Sequence, residues 1–177
     1  WSSDVCSSDL LSIQGNLYHN GGTLALDDGV LNVSGSYYMV GSGSSFEAGE
    51  ESYERTASST YLSMLNAGSE VRVSGDFITK AYYSQSDYLK AGTLYIGGDF
   101  EQYNGYDSYN FNPQVTHKTV FNGTGRQSAT FESSSSRFGT LEIILPFDMY
   151  VFDPNPCWLV LIQPEIPTAQ SADFVFP

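Results

Sequence analysis

The stretch Val71-Arg-Val-Ser-Gly-Asp-Phe77 decides the fold, because its pattern recurs at three other places in the chain. The other copies are Leu11-Ser-Ile-Gln-Gly-Asn-Leu17, Leu31-Asn-Val-Ser-Gly-Ser-Tyr37 and Leu94-Tyr-Ile-Gly-Gly-Asp-Phe100. Each copy has two aliphatic residues in alternate positions, then a glycine, a small polar residue and a large apolar one. The glycines are Gly15, Gly35, Gly75 and Gly98, and the interval between the second and third is twice the first. The sequence therefore predicts a repeat of about 20 residues, with room for one degenerate unit in the middle gap.

The alternation within each copy is typical of a half-buried β-strand. We expect Leu31 and Val33 on the buried face, and Asn32, Arg72 and Tyr95 on the other. A glycine after the strand permits a positive φ, and the Asn, Ser or Asp beside it can hydrogen-bond to the turn backbone. Six residues are accordingly predicted as structural turn residues: Gly15, Gly35, Gly75, Gly98, Asp76 and Asp99.

A second turn element precedes the later copies, as Leu26-Asp-Asp-Gly29, Leu65-Asn-Ala-Gly68 and Leu89-Lys-Ala-Gly92. Each unit then consists of strand, glycine turn, strand and glycine turn. No stretch has convincing helical periodicity. Residues 49–65, which are rich in Ser, Thr and acidic side chains, are predicted to form a long loop that leads into a strand at residues 61–65.

Two all-β folds fit strands spaced in this way, a parallel β-solenoid (β-helix) with rungs of roughly 20 residues and a β-sandwich. The strands of a sandwich have no reason to repeat one another's sequence. In a solenoid each rung faces an equivalent neighbour above and below, and so presents the same aliphatic rows and turn glycines. The repeat favours the solenoid, with the β-sandwich as the alternative.

Three segments differ in composition. Residues 1–10 share no pattern with the rest and resemble a translated sequencing adapter, so we expect a non-native or disordered segment there. Residues 11–145 are predicted to form the solenoid domain. Six of the seven prolines lie in residues 146–177, and proline is disfavoured in central strands. We expect terminal strands at residues 147–152 and 158–162, acting as strands or a cap, and then the start of a linker.

The chain is acidic, with 20 Asp and Glu against 7 Lys and Arg and a formal net charge of -13. It has no cluster of basic residues to neutralise phosphates, which argues against nucleic acid as a partner. The longest apolar run, residues 157–162, has six residues, far fewer than the roughly 20 of a membrane-spanning helix. We therefore expect no membrane insertion.

The sequence offers little catalytic chemistry. His19 and His117 do not have the spacing of metal ligands, so we expect no metal site and no cofactor. Asp76 and Asp99 could form a carboxylate pair on neighbouring rungs, but Asn16 and Ser36 occupy the same repeat position, which indicates turn bonding. The acidic residues Asp27, Asp28, Glu47, Glu50, Glu51 and Glu54 are interpreted as solvated loops, although weak calcium binding stays open. The prediction is that the chain is not an enzyme.

Tyrosines concentrate in the predicted loops, at Tyr37, Tyr38, Tyr82, Tyr83, Tyr88, Tyr103, Tyr106 and Tyr109. The simpler interpretation is that these aromatic side chains cover rung edges. The alternative is a binding surface, formed chiefly by the last six, because a tyrosine ring in a loop can stack on a sugar or anchor a partner protein.

The succession from Gly22-Thr-Leu-Ala-Leu26 through Leu89-Lys-Ala-Gly-Thr-Leu-Tyr-Ile-Gly-Gly-Asp-Phe100 to Phe138-Gly-Thr-Leu-Glu-Ile143 resembles a repeat region of very large surface proteins of Gram-positive bacteria. The resemblance implies an extracellular location and a place in a longer parent chain. It also implies a non-catalytic structural or adhesive role, with a polysaccharide or a cell-surface protein as partner. A carbohydrate-binding module is the alternative, and a polysaccharide-active enzyme ranks third.

Overall fold

The computed structural model describes residues 10–41, 59–105 and 107–144, together with the backbone of residues 158–161. This part of the chain is all-β and contains no helix. Its fourteen strands are β1 (Leu10–Ile13), β2 (Leu17–Asn20), β3 (Gly22–Ala25), β4 (Val30–Val33), β5 (Tyr37–Val40), β6 (Thr60–Ser63), β7 (Glu70–Val73), β8 (Phe77–Lys80), β9 (Thr93–Ile96), β10 (Phe100–Gln102), β11 (Lys118–Phe121), β12 (Gln127–Phe131), β13 (Thr140–Ile143) and β14 (Trp158–Leu161).

The strands form two six-stranded sheets and one pair. Sheet A has the order β1-β4-β7-β9-β11-β13, sheet B has the order β14-β12-β10-β8-β5-β2, and β3 pairs with β6. Pairing between these described strands is parallel, except for β14, which runs antiparallel to β12 at the edge of sheet B. The chain passes from sheet A to sheet B and returns one strand further along, so each turn of chain, here called a coil, lies on the one before it.

The four sequence copies occupy equivalent places in successive coils. In sheet A, Leu11 pairs with Leu31, Leu31 with Val71, and Val71 with Leu94. Leu31, Val33 and their equivalents in the two following copies are buried, whereas Leu11 of the first copy is exposed and Ile13 is partly buried. On the other face Arg72 is exposed, and Asn32 and Tyr95 are partly exposed. The predicted assignment of the two faces is confirmed for the copies that begin at Leu31, Val71 and Leu94.

An aromatic column fills the interior behind sheet B. Tyr37, Phe77 and Phe100 lie in register on neighbouring coils and have no exposed surface. The ring centroids of Phe77 and Phe100 are 6.0 Å apart and the ring planes are nearly parallel. Phe138 packs edge-on against Phe100, and Phe111 packs against it with a tilted ring. The expectation that Tyr37 and Tyr38 lie in a loop is wrong, since both belong to β5. Tyr37 occupies the apolar position that ends the repeat pattern, which is an interior position.

The sequence alignment of the second turn element is wrong at one copy, Leu65-Asn-Ala-Gly68. Met64, with no exposed surface, bridges to Leu89, whereas Leu65 is 46 % exposed. Ser69 takes the place of Gly29, because Thr93 N–H donates to Ser69 O as Glu70 N–H donates to Gly29 O. The turn that follows Met64 is two residues longer than its counterparts. An alignment of the glycines therefore places this copy out of register with the other two.

Two further predictions lie partly outside the described residues. The strand expected at residues 61–65 is β6, which begins at Thr60 and ends at Ser63, while the loop expected before it falls mostly in residues 42–58, which are not described. Strand β14 falls within the terminal strand expected at residues 158–162. Residues 1–9 and the strand expected at residues 147–152 are outside the described part of the chain.

Candidate functional site

The turn glycines form a column along one corner of the coils. Gly35 N–H donates to Gly15 O at 2.9 Å, Gly75 N–H to Gly35 O at 2.9 Å, and Gly98 N–H to Gly75 O at 2.8 Å. Each turn is therefore hydrogen-bonded to the turn of the coil before it. The backbone pairing of sheet A continues without a break through this corner.

Close packing, rather than backbone conformation, explains three of the four glycines. Of these four glycines only Gly15 has a positive φ, of 97°, so the positive φ that glycine permits does not explain Gly35, Gly75 and Gly98. A Cβ on Gly75 would lie 2.6 Å from Ser36 Oγ, and one on Gly98 would lie 2.7 Å from the carbonyl carbon of Gly75. The coils approach so closely here that any side chain would collide with the preceding turn.

The polar residue after each glycine joins its coil to the next one. Asn16 Oδ1 accepts a hydrogen bond from Ser36 N–H at 2.9 Å, and Ser36 Oγ accepts from Asp76 N–H at 3.0 Å. Asp76 Oδ1 accepts from Asp99 N–H at 2.8 Å, and Asp99 Oδ1 from Ser128 N–H at 2.6 Å. Asp76 and Asp99 do lie on adjacent coils. One oxygen of each carboxylate holds the turn of the following coil.

Buried amide side chains form hydrogen bonds with the irregular segments that connect sheet B back to sheet A. The sequence analysis did not identify these residues. Gln85 accepts from Leu62 N–H and donates to Thr60 O. Gln102 donates to the side chain of Asn110 and accepts from Ser133 N–H. Unpaired backbone groups in this interior would cost free energy. One signal was available, because Gln102 stands two residues after Phe100, at an inward position of its strand.

The two predicted tyrosine loops lie side by side. Asp107 N–H donates to Tyr82 O at 3.0 Å, so the loop that follows β8 and the loop that follows β10 are in contact. The rings of Tyr82 and Tyr83 are half-buried and meet edge-on at 4.7 Å. Tyr103 and Tyr109 are 36 % and 47 % exposed. Tyr106 is outside the described residues.

Tyr88 and Tyr103 have specific partners. The ring of Tyr88 stacks on Tyr61 at 4.0 Å, with an angle of 17° between the planes. The hydroxyl of Tyr103 donates to Glu101 Oε2 at 2.7 Å. That hydrogen bond to a carboxylate raises the pKa of Tyr103 to about 12, so its hydroxyl stays protonated at neutral pH.

Both histidines are used inside the fold. His19 Nδ1 lies 2.9 Å from the hydroxyl of Tyr37, and His117 Nδ1 lies 2.8 Å from Ala91 O. Burial lowers the pKa of each imidazole. Within the described ranges no group of three or more His, Cys, Asp or Glu side chains is placed to hold a metal ion. Asp28, one of the acidic residues considered for weak calcium binding, accepts a hydrogen bond at Oδ1 from Gly68 N–H at 3.1 Å.

The described residues contain no helix that is long and apolar enough to cross a membrane. Comparison of the chain with protein-family models, with curated proteins and with solved structures gave no match.

Proposed function

We propose that this chain is a parallel β-solenoid that serves as a non-catalytic structural or adhesive module of a bacterial extracellular surface protein. The glycine column carries the proposal. Hydrogen bonds from Gly35 to Gly15, from Gly75 to Gly35 and from Gly98 to Gly75 link four coils at the same corner. A solenoid requires this coil-on-coil register, and the β-sandwich alternative gives no reason for it.

The geometry suits a rigid rod. The six strands of sheet A, spaced by about 4.8 Å, account for a length of about 24 Å. Neighbouring coils are joined by backbone pairing in two sheets, by the side chains that follow the turn glycines, and by the aromatic column around Phe77 and Phe100. Local opening exposes backbone to proteases, so a rod joined in several ways in each coil should resist proteolysis.

Limited proteolysis of the 177-residue chain with a nonspecific protease tests the structural part. The expected result is a resistant core that contains residues 59–144, and rapid, uniform digestion would contradict it. Assays of reducing-end release from neutral and acidic polysaccharides test the non-catalytic part. Release that Asp76→Asn or Asp99→Asn abolishes would overturn it, because each variant keeps an oxygen acceptor but removes the ionisable group.

A carbohydrate-binding module is the second candidate, and the exposed rings of Tyr103 and Tyr109 favour it. They lie on a loop that contacts the loop of Tyr82 and Tyr83, so several aromatic side chains share one flank. Retention on polysaccharide columns should fall in the double variant Tyr103→Ala, Tyr109→Ala. Tyr18→Ala is the matched control, since Tyr18 is 55 % exposed on another coil. Unchanged retention of the double variant would remove this candidate.

A further inference from the structure

The connection between β11 and β12, at the same corner as the turn glycines, is longer than the equivalent connections in the preceding coils. Thr93 pairs with Lys118 in sheet A, and Phe100 pairs with Ala129 in sheet B. Lys118 and Ala129 lie further apart along the chain than Thr93 and Phe100 do. In the preceding coil the corresponding residues, Glu70 and Phe77, have the same separation as Thr93 and Phe100, with which they pair. The segment between Phe121, which pairs with Ile96, and Ala129, which pairs with Phe100, thus contains four extra residues, and the first two residues of β12 lie within this segment.

A buried amide fixes this longer turn. Gln127 has no exposed surface. Its Oε1 accepts from Gly123 N–H at 2.9 Å, and its Nε2 donates to Ile96 O at 2.9 Å and to Gly98 O at 2.6 Å. One side chain thereby ties the insertion to the preceding coil. The turn is pre-organised, which lowers the entropy lost when a ligand binds to it.

The insertion forms one wall of a surface groove. Its lining includes Asn122, Gly123 and Thr124 of the insertion, together with Arg72, Ser74 and Tyr95 of the two preceding coils. The groove has a volume of about 290 Å³, near the lower limit for small-molecule sites. That volume suits one ring of a longer ligand better than a large cofactor.

The wall chemistry selects an uncharged, hydroxylated ligand. The Arg72 guanidinium lies 5.6 Å from the centre of the Tyr95 ring, and Glu70 Oε2 accepts from its Nε at 3.0 Å and from one terminal nitrogen at 2.5 Å. The carboxylate balances the positive charge of Arg72, yet three of the five guanidinium N–H donors are left for other partners. Asn122 and Thr124 add an exposed amide and an exposed hydroxyl, and Tyr95 adds an aromatic surface for sugar C–H groups.

We propose that the groove between Arg72, Tyr95 and the Asn122–Thr124 turn binds one neutral hexopyranosyl residue of a polysaccharide. An acidic sugar would gain little from Arg72, because the Glu70 carboxylate already balances its positive charge. The net charge of -13 on the chain would also repel an acidic sugar. This site is separate from the tyrosine loops. It is also independent of the rod proposal, because a rod without a sugar site would still be a rod.

Amide chemical shifts of the full chain, titrated with maltohexaose, cellohexaose and mannohexaose, test the site. We expect at least one of them to shift the amides of Gly97, Gly123 and Thr124, and trigalacturonate to shift none. Tyr95→Ala should weaken that binding roughly tenfold, whereas Tyr95→Phe should keep it within about twofold. Tyr18→Ala, at an exposed position outside both proposed sugar sites, is the matched control and should leave it unchanged.

Three results would overturn the proposal. The first is the absence of shifts at the groove with all three neutral hexasaccharides. The second is binding of trigalacturonate alone. The third is binding that Tyr109→Ala weakens and Tyr95→Ala does not, which would place the sugar at the tyrosine loops. Since Tyr95 is partly exposed on the outer face of β9, its variants should fold, and an unchanged melting temperature checks this.

Discussion

Asp76 Oδ1 accepts a hydrogen bond from the backbone N–H of Asp99 at 2.8 Å, although the two residues are separated by 23 positions in the chain. The same bond joins Asn16 to Ser36, Ser36 to Asp76, and Asp99 to Ser128. A side chain that would bond to its own turn in an ordinary loop instead fixes the position of the next coil.

We predict that the acceptor oxygen at position 76, and not its charge, stabilises the fold. Asp76→Asn keeps an Oδ1 acceptor, as Asn16 does in the first coil, and should change the free energy of unfolding by less than about 0.5 kcal/mol. Asp76→Ala removes the partner of Asp99 N–H and should cost about 1–2 kcal/mol. Chemical denaturation measures both, with Asp87→Ala at an exposed position as control. Equal losses for the Asn and Ala variants would show that the charge matters instead.

The turn glycines should differ in their tolerance of a methyl group. In Gly98→Ala the new Cβ would lie 2.7 Å from the carbonyl carbon of Gly75 and 2.9 Å from the backbone nitrogen of Asp76. Because backbone atoms cannot move aside, we expect a loss of about 2 kcal/mol in the free energy of unfolding.

Gly125→Ala is the matched control for Gly98→Ala. Its Cβ would meet nothing within 4 Å, and Gly125 does not have a positive φ. A Gly→Ala change of this kind leaves stability unchanged or raises it by up to about 1 kcal/mol. Similar melting temperatures for the two variants would contradict close packing at the glycine column.

The repeat pattern predicted the parts of the fold in which successive coils have the same structure. Strands β4, β7 and β9 and their buried faces follow from alternation, because equivalent positions meet equivalent surroundings. The reason for Gly35, Gly75 and Gly98 could not be read from the sequence, since it depends on the distance between two coils. The groove at Tyr95 was also missed, because it depends on where a four-residue insertion lies in three dimensions.

Gln127 should be among the polar residues on which stability depends most. Gln127→Leu has a similar volume but leaves Gly123 N–H and Gly98 O without their side-chain partner, while Ile96 O keeps its hydrogen bond from Asn122 N–H. Each buried polar group left unpaired costs about 1–3 kcal/mol, so we expect a total of at least about 2 kcal/mol by chemical denaturation. Gln114→Leu, at an exposed position, should have little effect. Comparable effects of the two changes would refute the role assigned to Gln127.

Acid should destabilise the fold through His117. Its Nε2 is buried without a hydrogen-bond partner among the described residues, and burial lowers its pKa from the ordinary value of 6.5. The unfolded chain therefore takes up a proton near pH 6.5 while the folded chain does not. Stability is complete above that pH and falls as the pH drops below it, until the folded state is protonated as well.

The variant His117→Asn tests this pH dependence, because the Asn amide can still donate to Ala91 O. Melting temperatures measured between pH 7.5 and pH 5 should fall less steeply for the variant than for the parent chain. His19, whose pKa burial also lowers, should contribute in the same direction, so His19→Asn combined with His117→Asn should be flatter still. Identical slopes for all three proteins would show that the histidines are not responsible.

Disulfide formation between neighbouring coils is the most direct test of the coil-on-coil register. Asn32 pairs with Arg72 on the outer face of sheet A, and Arg72 pairs with Tyr95. Adjacent parallel strands lie about 4.8 Å apart, within the Cα separation that a disulfide accepts, and strands two coils apart do not. With Cys6 and Cys157 replaced by Ser, Asn32→Cys with Arg72→Cys should oxidise readily, and Asn32→Cys with Tyr95→Cys should keep both thiols. Oxidation of the second pair in place of the first would contradict the parallel coil arrangement on which the proposed solenoid rests.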